Sequence, residues 1–462
     1  MKYISTRGHA PKLSFEGAML SGLARDGGLY VPESFPRFTK VQIKALRGKP
    51  YADVAFAVCS RFTAGSIPPT ELKVMIAAAY ATFDHAAVAP LNQLGANHFL
   101  LELFHGPTLA FKDVAMQLLA RMMDWSLAKH KRRAVIVGAT SGDTGGAAVA
   151  AFEHSAHASL FILHPHGLVS AVQRRQMTTV KSPSVHNIAV EGTFDDCQAI
   201  VKALFNDLAF RDGVGLAGVN SINWGRIMAQ IVYYFYAGLA LGAPDRAISF
   251  TVPSANFGNM FAGLVAKRMG LPIDRLVIAT NSNDILDRTL KTGRYEVTGV
   301  HPTISPSMDI QVSSNFERLV YLANKGDAAA VRAAMGSLTQ SGAFTLKSPA
   351  LKSIRAEFSS GATSEAETAA TMAMILKTTG ELVDTHTAVG LHVAGLIKGK
   401  SPMVTLATAH PAKFPDAVQH ATGITPRLPQ RLSHLLSASE SFTILPNSAA
   451  AVKEFILAKD SR

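Results

Sequence analysis

The stretch "RAVIVGATSGDTGGAAVAAFEH", residues 133–154, decides the fold. Its apolar run, Ala134 to Gly138, has the length and β-branched content of a strand buried on both faces. The run ends in "GATSGDTGGAA", residues 138–148, a loop of small and hydroxyl residues, and then becomes the helical pattern "AAVAAFEH". A strand that turns through such a loop into a helix gathers free backbone N–H groups at a helix N-terminus, which makes an anion cradle.

The same order of strand and helix repeats outward from this segment. "SLFILHP" is followed by "LVSAVQRRQM", "VHNIAV" by "DDCQAIVKALFND", and "AISFTVP" by "MFAGLVAKRMG". "RLVIAT" and the late run "PMVTLATAHP" add further strands, and residues 320–400 read as helical and alanine-rich. Alternation of this kind predicts parallel sheets covered by helices. Residues 1–95 have a different texture. They are mainly helical and turn-rich, with a Pro68-Pro69 break ahead of an alanine-rich helix around Lys73 to Ala81. The predicted organisation is an N-terminal mainly helical region, 1–95, and an α/β core, 96–462.

Composition limits the function classes. With 462 residues, 48% hydrophobic and 17% charged, the chain is a globular protein of two or three packed units. The longest apolar segment, Ile231 to Ala243, is too short to span a bilayer and reads as a buried helix. The opening "MKYISTRGHAPKLSFEG" lacks the apolar core of a signal peptide, so a cytoplasmic protein with no membrane partner is expected. Two cysteines, Cys59 and Cys197, cannot build a disulfide framework or a thiolate metal centre, and no metal site is expected. The net charge of +12 is scattered, apart from "KHKRR" at 129–133. That run sits where cations favour a helix C-terminus, and no aromatic platform accompanies it, so no nucleic-acid partner is expected.

Two further segments share the chemistry of the first loop. "PSANFGNM", residues 253–260, again joins a strand to a helix through small polar residues. "HGPTLAFKDVAMQLLARMM", residues 105–123, places Lys112 where a loop becomes a helix, with Asp113 as the expected N-cap and Val114, Leu118, Met122 and Ala115, Leu119 on adjacent faces. An isolated lysine at such a junction is ordinarily a surface residue with a snorkelling stem. Beside two anion cradles it gains a chemical use. One cradle can hold a cofactor phosphate, the other a substrate anion, and the amine can condense with an aldehyde. Other signatures fail on context. "GVGLAG", 213–218, follows a helix rather than a strand; "GLIKGKS", 395–401, is one residue short of a phosphate-binding loop and precedes a strand; "HPH", 164–166, follows a strand and reads as a loop.

"FHGPTLAFKD", "GATSGDTGG", "PSANFGN" and "LATAHPAKF" resemble, in order, the motifs of pyridoxal-phosphate enzymes of the tryptophan synthase β-like fold. The openings "YISTRG" and "LARDGGLYVPESFP", residues 23–36, resemble the N-terminal signature of the threonine synthase family in its longer bacterial and fungal branch. The resemblance spans essentially the whole chain. It implies a fold of two interleaved, mostly parallel-sheet α/β domains. It also implies pyridoxal 5'-phosphate as cofactor and conversion of O-phospho-L-homoserine and water to L-threonine and phosphate, by a monomer or homodimer.

Residue roles follow from the matched motifs. Lys112 matches the lysine that binds the cofactor and then moves protons. Ser254, Ala255, Asn256, Phe257, Gly258 and Asn259 match the cofactor-phosphate loop. Asp143 stands where much of the fold family has an asparagine beside the ring hydroxyl, and Thr408 matches the position facing the ring nitrogen. Thr140, Ser141 and Thr144 match the loop that grips the substrate carboxylate; Asn220, Ser221 and Arg226, in "VNSINWGRI", match groups for the substrate phosphate. Within the same fold a phospho-lyase or a serine/threonine dehydratase, giving an oxoacid and ammonia, is the alternative. A non-catalytic binder would have no use for Lys112.

Overall fold

A computed structural model describes residues 1–460. At the N-terminus, strand β1 (Tyr3–Ser5) pairs antiparallel with β2 (Tyr30–Pro32), and the rest of the region is helical. Its helix Pro69–Tyr80 starts at the second proline of the expected break, the first-turn position that proline tolerates because no hydrogen bond is lost there.

Two sheets follow. The larger has the order β13 (Phe358–Ala362), β10 (Ile273–Thr280), β9 (Ile248–Pro253), β14 (Met403–Ala407), β4 (His98–Glu102), β3 (Leu91–Gly95). All its pairings are parallel except the β3–β4 hairpin. The boundary expected at residue 95 falls in the turn of that hairpin. The smaller sheet is wholly parallel, in the order β15 (Thr443–Pro446), β7 (Val185–Glu191), β6 (Ala158–Pro165), β5 (Ala134–Ala139), β8 (Leu216–Ala217). A small ribbon pairs β11 (Arg294–Glu296) with β12 (Ala343–Thr345). The domains interleave because the last strand of the chain, β15, joins the sheet built from its middle, while β14 inserts between β9 and β4 of the other. The α/β architecture read from strand–helix alternation is the one found.

Two helices hold the sheets together. Lys112–Lys129 is buried on every face from Lys112 to Ala120, so the two apolar faces expected from its spacing are part of a fully enclosed helix. Trp224–Ala240 is likewise buried from Trp224 to Phe235. Truncating one such side chain, Leu118 for instance, would cost about 2–5 kcal/mol. With both helices locked, the loops at their N-termini are held on a rigid base. Among the described residues no helix is long and apolar enough to cross a membrane.

Candidate functional site

The loop before Lys112 is pinned to the end of β14. Phe111 N–H donates to Thr408 O at 2.8 Å, His410 N–H donates to Leu109 O at 3.0 Å, and Ala110 bridges to Ala409. Leu109 takes a left-handed backbone (φ 62°), a conformation that costs a non-glycine residue about 1–2 kcal/mol and clusters at functional sites. The helix starts at Lys112 itself, with Phe111 at the N-cap. Asp113 is therefore not the cap expected of it. Its carboxylate turns back to accept from Thr108 N–H (2.8 Å) and Thr108 Oγ1 (2.6 Å), fixing the loop from inside the first turn. Gly106 is required opposite it, since a Cβ there would lie 2.4 Å from Asp113 Cβ.

The Lys112 ammonium is buried and lies 3.0 Å from Asp143 Oδ2. Asp143 comes from the other domain, in the first turn of the helix Asp143–Phe152, which begins several residues earlier than the sequence pattern suggested. Its carboxylate is surrounded by donors: Lys413 Nζ at 2.9 Å and Gln173 Nε2 at 2.8 Å on Oδ1, and Ser307 Oγ at 3.1 Å on Oδ2. Burial opposes its ionisation, but Lys112 and Lys413 together hold its carboxyl well below the usual range. Burial lowers the Lys112 pKa; Asp143 raises it, while Lys413 and Arg226 lower it. The preceding residue, Gly142, has φ 145°, and a Cβ on it would sit 2.5 Å from the Gln173 amide carbon. Thr140 is buried, and its hydroxyl accepts from Gly142 N–H and Gly145 N–H, both at 2.9 Å, so it shapes this loop. Ser141 is exposed and Thr144 half-buried on the same turn.

Across the cleft, the loop from Ser254 to Phe257 leaves β9 at the same end of the sheet as Thr408 leaves β14, since those strands run parallel. Binding at the carboxyl ends of parallel strands is the rule for α/β sheets. Phe257 is the left-handed N-cap (φ 60°) of the helix Gly258–Arg268. Ser313 Oγ donates to Ala255 O (2.6 Å), and Asn315 donates to Asn256 O from both N–H and Nδ2. Asn259 is held by the hydroxyls of Tyr233 and Tyr234, both donating to its Oδ1, while its buried Nδ2 has no partner among the described residues.

The third loop touches the second. Asn315 Nδ2 also donates to Ser221 O (3.2 Å), so one amide ties the segment 219–223 to the segment 254–258. Arg226 stands in the first turn of the helix that Asn223 caps through Gly225 N–H. It is buried, donates to Val219 O at 3.2 Å, and leaves Nε without a partner. Burial without a carboxylate drops its pKa to about 10. Asn220 is exposed. Lys112 thus meets Asp143 directly and feels the charge of Arg226, whose segment 219–223 is tied to the loop 254–258 through Asn315, while Ser141 and Asn220 are exposed.

Sequence reasoning passed over Lys413, Gln173, Ser307, Asn315 and Arg318. Lys413 was within a recognised motif, "LATAHPAKF", and a cation flanked by Ala412 and Phe414 was the available signal. Arg318 is fully buried, donates to Tyr30 O, Ile222 O and Asn315 Oδ1, and is lowered to about 9 by burial. It braces the bridge between the two loops. The signal was a lone arginine inside the apolar helical run Phe316–Ala323.

Comparison with known proteins agrees with this geometry. Residues 2–80 match the sequence profile described as threonine synthase N terminus, 85–344 that of pyridoxal-phosphate dependent enzymes, and 387–456 that of threonine synthase, C-terminal. The chain is 51% identical to a threonine synthase of Pseudomonas aeruginosa over 459 residues, 99% of this chain and 98% of that one. It superposes on the crystal structure of pyridoxal-phosphate-bound threonine synthase from Brucella melitensis with a TM-score of 0.98, at 59% identity and full coverage of both chains. For the yeast threonine synthase structure the TM-score is 0.93, at 39% identity, covering 99% of this chain and 98% of that one.

Proposed function

The chain belongs to the threonine synthase family of pyridoxal-phosphate-dependent lyases, and from that premise we propose that it acts on O-phospho-L-homoserine through the residues gathered around Lys112. It is an enzyme that makes threonine with this cofactor. The residues fit an anionic aldehyde. Among the described residues two buried donors, Asn259 Nδ2 and Arg226 Nε, have no partners, and the buried Lys112 amine feels the charge of Arg226. Ser254 to Asn259 would hold the cofactor phosphate, Lys112 would carry the group covalently, Asp143 would face its ring oxygen and Thr408 its ring nitrogen.

When bound, pyridoxal phosphate supplies a ring that withdraws electrons from the substrate's α-carbon and then its β-carbon. The protein supplies the rest. Lys112, released by the substrate amine, moves protons at Cα, Cβ and Cγ; its burial favours the neutral amine that can do so. The loop Thr140, Ser141 and Thr144 orients the substrate carboxylate. Arg226, with Asn220 and Ser221, grips the phosphate. In the net reaction the Cγ–O bond breaks and phosphate leaves with the bond pair, one Cβ–H bond breaks while a proton is delivered to Cγ, and the oxygen of water bonds to Cβ as its spare proton passes to the released phosphate. A clamp on the leaving phosphate therefore stabilises charge as it develops. A hydroxyl at Thr408, unlike a carboxylate, does not force the ring nitrogen to stay protonated, which suits stepwise work at Cβ and Cγ.

The observation that carries the substrate reading is Arg226, a buried guanidinium with no carboxylate partner among the described residues, bonded to Val219 O in the segment that Asn315 ties to the loop 254–258. A dehydratase acting on serine has no second phosphate to meet it. The partner is this small molecule, the setting cytoplasmic, and the enzyme a monomer or homodimer. Incubation with O-phospho-L-homoserine is expected to release phosphate and threonine in equal amounts. Oxoacid and ammonia in place of threonine, or turnover of serine with O-phospho-L-homoserine left untouched, would refute the reading.

A further inference from the structure

Two lysines flank one carboxylate in this site, and they are not equivalent. Lys413 is fully buried in the short turn Pro411–Lys413. Its ammonium donates to Thr108 O at 2.7 Å and to Gln176 Oε1 at 2.9 Å, and forms an ion pair with Asp143 Oδ1 at 2.9 Å. Two of its three N–H donors are thus spent on neutral oxygens that fix the ammonium in place. Lys112 has a single acceptor, the other oxygen of Asp143. The Asp143 carboxylate faces both ammonium groups in an enclosed space, and Lys413 is held there by two further hydrogen bonds that Lys112 does not have.

Resting on the reading of Lys112 given above, we propose that Lys413 is a positioning residue for its chemistry. Its fixed ammonium is the standing counter-ion of Asp143, so the Lys112 amine can shed its proton without leaving that carboxylate bare. Condensation with an aldehyde needs a neutral amine, since the nitrogen lone pair forms the new bond to carbon and water departs. If Lys112 alone balanced Asp143, the pair would lock it as ammonium. Lys413 removes that lock, and after Lys112 is committed to the cofactor it still holds Asp143 in place.

The other charged groups around Lys112 do not substitute for it. Arg226, on its own helix, adds a further positive field but makes no contact with Asp143. Asp113 accepts from Thr108 N–H and Oγ1, and its buried carboxyl feels the charge of Lys413. His386, facing Asp143 from the helix Thr385–Leu396, uses Nδ1 toward Asp384 and accepts Ser307 N–H at Nε2. Gln173 and Ser307 donate to Asp143 without charge.

The test uses cofactor-free full-length protein and reads acetylation of the Lys112 peptide by trace acetic anhydride across pH, quantified by mass spectrometry. In Lys413→Met, or Lys413→Gln, which retains a hydrogen-bonding amide, the pH midpoint of Lys112 labelling is expected to rise by about one unit or more. Lys413→Arg, which keeps the charge, is expected to stay nearer the wild type. Adding Asp143→Asn to Lys413→Met is expected to bring the midpoint back down. A cooperative melt identifies which variants are folded, and either neutral variant suffices. An unmoved midpoint in a folded neutral variant would overturn the role of Lys413. Borohydride fixation of the cofactor on a lysine other than Lys112 in the wild type would instead overturn the reading of the site, so the two failures are distinguishable.

Discussion

Replacing Arg226 by methionine separates function from stability, because the free protein gains nothing from this charge. The guanidinium is buried and has one carbonyl partner at 3.2 Å. Its pKa, held near 10, corresponds to about 3 kcal/mol of burial penalty on the charged form. For a base with a lowered folded pKa, that penalty is fully present at neutral pH and is relieved only as pH rises past the folded value. Arg226→Met fills most of the same volume without the charge, so the melting temperature of the substrate-free protein should stay level or rise. In the proposed role, phosphate bound at Arg226 would remove the penalty in the wild type by supplying the missing anion. A charge-assisted hydrogen bond contributes about 1.5–3 kcal/mol, so kcat/KM on O-phospho-L-homoserine should fall roughly 10- to 150-fold, with kcat sharing the loss if the clamp acts on the leaving group. Inorganic phosphate should raise the wild-type melting temperature more than that of the variant. The measurements are steady-state kinetics and thermal melts with and without phosphate. A variant with wild-type kinetics would remove Arg226 from the site; a collapsed melting temperature would show that it holds the fold through Val219.

Asp143→Asn leaves Lys112 and Lys413 as buried cations without a carboxylate, and should cost up to about 3–5 kcal/mol at neutral pH. Because the folded pKa of Asp143 is depressed, its contribution is present above about pH 4 and lost as pH falls below that. Melts taken down the pH scale should therefore show wild type and variant converging in acid, and a constant gap would contradict the assignment. Gly142→Ala places a Cβ 2.5 Å from the Gln173 amide carbon and forces an alanine to φ 145°; it should lower kcat at least about 10-fold by displacing Gln173 from Asp143. Wild-type kcat in that variant would show that the Gln173 contact is dispensable. Arg318→Met should raise the cofactor concentration needed for half-saturation, since the bridge through Asn315 to Asn256 loses its brace, and unchanged cofactor titration would refute that link.

The sheets were legible because parallel strands buried on both faces carry continuous apolar runs, as in Val135 to Val137 and Leu160 to Leu163. Lys112 was legible through its motif and its junction with a helix. Asp113 misled because a local rule, aspartate at a helix start, competes with a hydrogen bond to Thr108 that only the folded loop provides. Lys413 could not be read as buried, since its acceptors lie 305 and 237 residues away in sequence, at Thr108 and Gln176. Ser307 reaches Asp143 across 164 residues. Local pattern reports periodicity and caps; which charges end up facing one another is set by how the two domains interleave.

The claim on which the rest depends is that Lys112 is the amine that carries the cofactor. Reduction of the pyridoxal-phosphate-loaded protein with borohydride, followed by digestion and mass spectrometry, tests it directly. The account predicts that the visible absorbance is abolished and that the phosphopyridoxyl group is recovered on Lys112, with Lys413 unmodified. Recovery on Lys413 or any other lysine, or no covalent adduct at all, would contradict it.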